Sequence, residues 1–253
     1  MKLPLYLFPI LAAAGSLCQA ATVSLPFTDE FTGPTTSFTP GATSPIGGAW
    51  TITGGKYQST NTPQNTSAAL IQATNFVAGQ NFTLSSTFTV TDLSSTLSVG
   101  FAALGTGANL QTTGVSYYLA DIATDGTLRI GLFNATTFTN TAPFFAGAAG
   151  IGTLAASDIV TMTLNGTYTG SSLVMTLSAS KNGGSVASAS TGTINTPLSG
   201  NFFGLRNRNG ATAGNGDDMV VQFENFSMTQ VPEPSALLLG GLSAIGLGLR
   251  RKR

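Results

Sequence analysis

The chain has 253 residues, 42% hydrophobic and only 8% charged, with ten cations against ten carboxylates, one cysteine and no histidine. Without histidine there is no serine–histidine triad, no cysteine–histidine dyad and no histidine-ligated transition metal. Between Thr22 and Gln230 five cations (Lys56, Arg129, Lys181, Arg206, Arg208) face nine carboxylates, so this mildly acidic stretch offers nucleic acid no basic run.

The first segment, MKLPLYLFPILAAAGSLCQAA, carries Lys2, an apolar stretch from Leu3 to Leu17 and small residues around Ala20. That order is the pattern of a secretory signal peptide over 1–21, cleaved after Ala20 or Ala21. The apolar stretch is shorter than the ~20 residues a spanning helix needs. Lipoprotein processing at Cys18 would want a small residue before it, and Leu17 stands there. Once the segment is removed, no cysteine remains, so neither a disulfide nor a thiolate nucleophile is available.

From Thr22 to Gln230 the chain is rich in Thr, Ser, Gly and Asn, with apolar residues at alternate positions. In NFTLSSTFTV, Phe82, Leu84, Phe88 and Val90 lie in one extended run. In DIVTMTLNG, Val160, Met162 and Leu164 fall opposite Thr161, Thr163 and Asn165. Such period-two patterning predicts half-buried antiparallel strands. Turn dipeptides recur at Asp125-Gly126, Asn165-Gly166, Asn182-Gly183, Asn209-Gly210 and Asn215-Gly216. Strands are predicted over 26–31, 49–53, 68–73, 81–91, 97–104, 115–122, 127–133, 158–167, 172–180, 201–206 and 219–229, and APFFAGAAGIGTLAA (142–156) is read as a loop. No stretch of the body has a helical apolar period. The expected fold is all-β: one antiparallel two-sheet jelly-roll sandwich over 22–230.

Several pieces of this body resemble the concanavalin A-like, or laminin-G-like, sandwich of lectins and glucanases: FTDEFTG (27–33), GAWTITGGKYQ (48–58), SVGFAAL (98–104), VSYYLADIATDGTLRIGLF (115–133), GNFFGLRNRNG (200–210) and VVQFENFSM (220–228). The resemblance implies adjacent first and last strands, with Asp29 and Phe31 near Glu224 and Phe226. It also implies a carbohydrate-binding role. Retaining glucanases of that fold hold two carboxylates ~5–5.5 Å apart around the sugar. Here the Glu-x-Asp-x-x-Glu arrangement is missing, and the only glutamates of the body, Glu30 and Glu224, fall on terminal strands. The expectation is therefore a protein that is not an enzyme.

Three sets of side chains remain as candidates. Asp29, Glu30, Asp217, Asp218 and Glu224 supply the oxygen ligands that Ca2+ takes, or are solvated strand ends. Trp50, Tyr57, Tyr117, Tyr118 and Tyr168 would stack on sugar rings if exposed; Tyr117 and Tyr118 are neighbours, so on a strand one of them points outward. Arg206 and Arg208 share one strand face, where surface ion pairing, an aspartate or an acidic sugar would each satisfy them. Asp125, in an Asp-Gly turn, is expected to bond its own backbone.

The final 23 residues, VPEPSALLLGGLSAIGLGLRRKR (231–253), depart from all this. Ser235 to Leu249 forms an apolar run of 15 residues, as a helix ~22 Å long against a ~30 Å hydrocarbon core. Arg250, Arg251, Lys252 and Arg253 close it and would stay on the cytoplasmic side. Val231-Pro232-Glu233-Pro234, a short hydrophobic helix and a basic end resemble the PEP-CTERM sorting signal of Gram-negative bacteria. That resemblance implies an exosortase-type membrane partner that cleaves near Pro-Glu-Pro, a transient inner-membrane intermediate, and delivery to the cell surface or extracellular matrix, often alongside polysaccharide. An ordinary C-terminal anchor is the alternative.

Overall fold

A computed structural model of the chain describes residues 20–40, 48–63, 66–93, 97–108, 114–134, 139–210 and 218–231. Residues 1–19 of the expected signal peptide and the tail beyond Val231, with the short helix expected in it, lie outside these residues, whereas Ala21 opens the first strand opposite Ile71.

The body is an all-β sandwich of two sheets. One sheet has eight strands, ordered β1 (Ala21–Val23), β6 (Thr66–Ala73), β15 (Phe202–Asn209), β8 (Leu97–Gly105), β9 (Ser116–Ala123), β10 (Thr127–Asn134) and β11 (Thr139–Gly150), with β3 (Thr39–Pro40) beside β6. The other has nine: β14 (Ala187–Ser190), β13 (Ser172–Lys181), β12 (Ile159–Thr169), β7 (Asn81–Asp92), β16 (Met219–Phe223), β5 (Lys56–Asn61) and β4 (Gly48–Thr53), with β17 (Phe226–Val231) against β7 and β2 (Phe27–Asp29) against β17.

The expected pairing of first and last strands is present, with Phe226 opposite Asp29. The run predicted over 219–229 is broken into β16 and β17 at Glu224-Asn225, where the Thr87 N–H donates to Asn225 Oδ1 at 2.9 Å. The stretch read as a loop over 142–156 is mostly strand: β11 pairs antiparallel with β10 at the sheet edge. Its Ala- and Gly-rich sequence has little intrinsic strand preference, so pairing with β10 sets its conformation. Four further strands, β1, β3, β5 and β14, were not predicted. β5 (KYQSTN) reads as polar throughout because its inward residues include Ser59 and Asn61, both fully buried.

Alternation is clean on the nine-stranded sheet. Phe82, Leu84, Phe88, Val90, Val160, Met162 and Leu164 are all buried, as the period-two pattern requires. They meet Val99, Phe101, Ala120, Ile122, Phe203 and Leu205 of the opposite sheet in one core. At one end the layers are tied by amides: Asn61 Nδ2 donates to the Asn207 carbonyl at 2.9 Å, and Asn207 Nδ2 to Ser59 Oγ at 3.1 Å.

Candidate functional site

The eight-stranded sheet turns charged and apolar side chains together onto its outer face. Strand register explains how they meet. Arg206 on β15 lies opposite Gly100 on β8, Gly100 opposite Asp121 on β9, and Asp121 opposite Arg129 on β10. These four residues form one row across four strands. Gly100 has no side chain, so Arg206 reaches over β8 to Asp121; a Cβ at Gly100 would also collide with the Ala120 carbonyl.

Asp121 is 2% exposed and is held from both sides. Arg206 Nη1 donates to Oδ2 at 2.9 Å and Arg129 Nε to Oδ1 at 2.8 Å. The Ser98 hydroxyl donates to Oδ2, and Arg206 Nη1 also reaches Ser98 Oγ at 3.2 Å. Pairing on both oxygens is what makes a buried carboxylate tolerable. Arg206 is itself buried, and its Nε has no hydrogen-bond partner among the described residues. Two residues on, Arg208 lies on the same face, exposed. Partial burial, followed by the proximity of Arg206, lowers its pKa from the ordinary arginine value. Two arginines thus hold one carboxylate, and a third lies two residues farther along the same strand face.

Apolar residues continue this face away from the charges. Ala68, Leu70, Ala102, Tyr117 and Leu119 form a buried cluster with Ala20 and Val115, and the Tyr117 ring lies 4.9 Å from that of Phe133. Burial raises the pKa of the Tyr117 hydroxyl, while the Arg206 guanidinium beside it works in the opposite direction.

The aromatics expected to stack on sugar are all buried: Trp50 9%, Tyr57 2%, Tyr117 1%, Tyr118 5% and Tyr168 6% exposed. This corrects the expectation of an aromatic platform. Trp50 and Tyr57 pack in the core, 4.9 Å apart, with Phe223 and Phe31 as further ring neighbours. Tyr118 points inward, its oxygen accepting the Leu198 N–H at 3.3 Å. Tyr117 does point outward as strand alternation demands, but that outer face is covered.

The proposed calcium ligands are dispersed in the same way. Asp29 spends both oxygens on its own loop, accepting from the Phe31 N–H at 2.9 Å and the Thr36 hydroxyl at 2.7 Å. Glu30 and Asp218 are exposed, Glu224 is paired with Lys56 at 2.8 Å, and Asp217 lies outside the described residues. Among the described residues no three carboxylates come together. Asp125 accepts the Thr127 N–H at 2.9 Å, the turn role expected of it. Arg206, read with surface pairing among its options, takes the buried aspartate. The sequence signal for that row was the Arg-x-Arg spacing; its partner Asp121 is 85 residues away and visible only through register.

The sorting residues follow directly on the last strand. Val231, half-exposed, is the final paired residue, opposite Asn81. Just before it the Gln230 side chain clamps Val77, donating to its carbonyl at 2.7 Å and accepting its N–H at 3.1 Å. Pro232, Glu233, Pro234 and Arg250 to Arg253 lie outside the described residues. Residues 230–253 match the family model of the PEP-CTERM protein-sorting motif. The chain carries a PEP-CTERM sorting signal. Such a signal marks an exported protein.

The body is similar in fold to plant seed lectins. Peanut lectin superposes with a TM-score of 0.51 at 13% identity, covering 82% of this chain and 97% of the lectin. The Lotus tetragonolobus seed lectin gives 0.51 at 14%, covering 83% and 100%. A protein of unknown function from Shewanella oneidensis MR-1 gives 0.51 at 14%, covering 90% and 96%. At these identities the likeness is one of fold. No curated sequence matches the chain significantly.

Proposed function

We propose that the protein is a non-enzymatic, polysaccharide-binding component of the cell surface or extracellular matrix. The observation that carries this reading is the joining of a PEP-CTERM export signal to a sandwich of the fold found in seed lectins. Against hydrolysis, Glu224 is spent in an ion pair, Glu30 is exposed, and Asp121 is clamped between two guanidiniums. None of these is a free acid facing a second carboxylate, which glycoside cleavage needs. The signal peptide over 1–21 and cleavage near Pro232 belong to the same reading. Because β17 ends at Val231, release of the tail would leave every described strand intact.

A glycan array probed with the purified protein tests the lectin role; no binding to any polysaccharide, including the producer's own, would remove it. Intact mass of surface-extracted protein tests the processing. Retention of both Met1 and Arg253 would refute export by these signals.

One observation favours a second reading, a structural adhesin without sugar specificity. The outer face of the nine-stranded sheet carries many hydroxyls already bonded to one another, including Ser85–Ser227 and Thr176–Ser190, each at 2.8 Å. That reading predicts self-association of the purified protein in the absence of any sugar, visible by light scattering.

A further inference from the structure

The arginine row points to a more specific ligand than polysaccharide in general. We infer that the outer face of the eight-stranded sheet binds the carboxylates of an acidic, uronate-type polysaccharide, through Arg208 and Arg129 at the surface with Arg206 behind them. The inference rests on the polysaccharide reading above and names its ligand class.

Charge is the first support. Across β15, β8, β9 and β10 two guanidiniums share the single carboxylate of Asp121 and a third, Arg208, follows two residues along the same face of β15, on a body otherwise richer in acids than in cations. Arg208 lies near enough to Arg206, Asp121 and Arg129 to feel the charge of each, yet no ion pair involves it among the described residues. A second, independent support is the orphaned Nε of Arg206, a donor in a side chain 4% exposed. Buried donors of this kind are ordinarily satisfied. Arg129 uses its Nε on Asp121 while its side chain stays 32% exposed, so among the described residues the outer edge of its fork is open to a carboxylate in the paired geometry that guanidinium offers. Asp121 holds Arg206 and Arg129 apart and oriented, so it acts as a positioning residue.

The test uses the full-length protein in detergent micelles, with immobilised polygalacturonate as the probe and neutral dextran as control, read by biolayer interferometry. Polygalacturonate is expected to bind in preference to dextran and to weaken as salt rises, because exposed charges are screened. Arg208→Glu is expected to weaken it about tenfold or more, while Arg208→Lys retains most binding. Arg208 is exposed, so an unchanged melting temperature would show that either variant is folded. Equal binding of both polymers, indifferent to Arg208→Glu, would overturn the acidic site and leave a neutral lectin. Binding of neither polymer, with free galacturonate raising the melting temperature of the wild type but not of Arg208→Glu, would keep the carboxylate site and remove the polysaccharide role. Failure of all three probes removes both.

Discussion

Along β7 and β12 of the nine-stranded sheet the outward side chains are Thr83, Ser85, Thr87 and Thr89, then Thr161, Thr163 and Asn165. Along β8, β9 and β15 of the eight-stranded sheet they are Ser98, Ala102, Leu119, Asp121 and Arg206. The first set is wet and neutral, and its hydroxyls bond sideways, as in Thr83–Asn165 at 2.8 Å. The second is buried apart from Arg208 beside it, so Asp121 and Arg206 each need a fixed partner. One sandwich therefore holds a face where single side chains matter little and a face where they matter a great deal. Recognition by charge belongs on the second, because a low-dielectric setting strengthens whatever remains unpaired.

The largest test of this contrast is Asp121→Ala. It would leave two guanidiniums facing each other without their carboxylate, a loss of about 3–5 kcal/mol measured by urea denaturation. Glu224→Gln breaks an ion pair whose two side chains are each about one-third exposed, and is expected to cost under ~1 kcal/mol. Equal costs would abolish the distinction between the faces. Next in size is Gly100→Ala, whose new Cβ meets the Ala120 backbone across the ladder. Backbone must shift to admit it, at about 1–3 kcal/mol or more, and the melting temperature should fall accordingly.

Alkaline titration sharpens the comparison further. Burial raises the pKa of Tyr57, Tyr117, Tyr118 and Tyr168. A raised folded value means that the associated stability is complete below the ordinary tyrosine pKa of ~10 and is lost as pH climbs through and above it, by about 1.4 kcal/mol per pH unit per tyrosine. Stability should therefore hold from about pH 5 to 9, since no histidine or mature cysteine titrates there, and fall above about pH 10. Tyr117 is the diagnostic one. Were the outer face of the eight-stranded sheet wet, this tyrosine would ionise near ~10 in the folded protein, and Tyr117→Phe would remove that early step in absorbance.

The contrast also governs how much could be read from the sequence. β7, β12 and β13 alternate hydroxyl with apolar residues because one side meets water, so both their existence and their inward faces were legible. β8, LSVGFAALG, is buried on both sides; its strand was legible, but which residues faced outward was not. β5 and β11 failed for opposite reasons. One carries buried polar residues that bridge the sheets, and the other has too little side chain to show a pattern. The aromatic candidates failed because a residue type alone does not tell a ring packed in a core from one offered to a sugar. Arg206 and Asp121 had no local signal for each other, since only the register of β15, β8 and β9 joins them.

The smallest expected effect is the most demanding check on the wet face. Thr87 and Thr161 lie opposite each other on β7 and β12 with their hydroxyls 3.2 Å apart. Water can replace either partner, so Thr87→Ala and Thr161→Ala should each cost about 0.5 kcal/mol or less, through lost strand preference more than through the lost bond. The coupling energy from a double-mutant cycle should be a few tenths of a kcal/mol, at the low end for cross-strand pairs. A coupling above ~1 kcal/mol would mean that the hydroxyl field acts as a cooperative network. It would then be a specific surface in its own right, and the adhesin reading would gain where the arginine row loses its distinction.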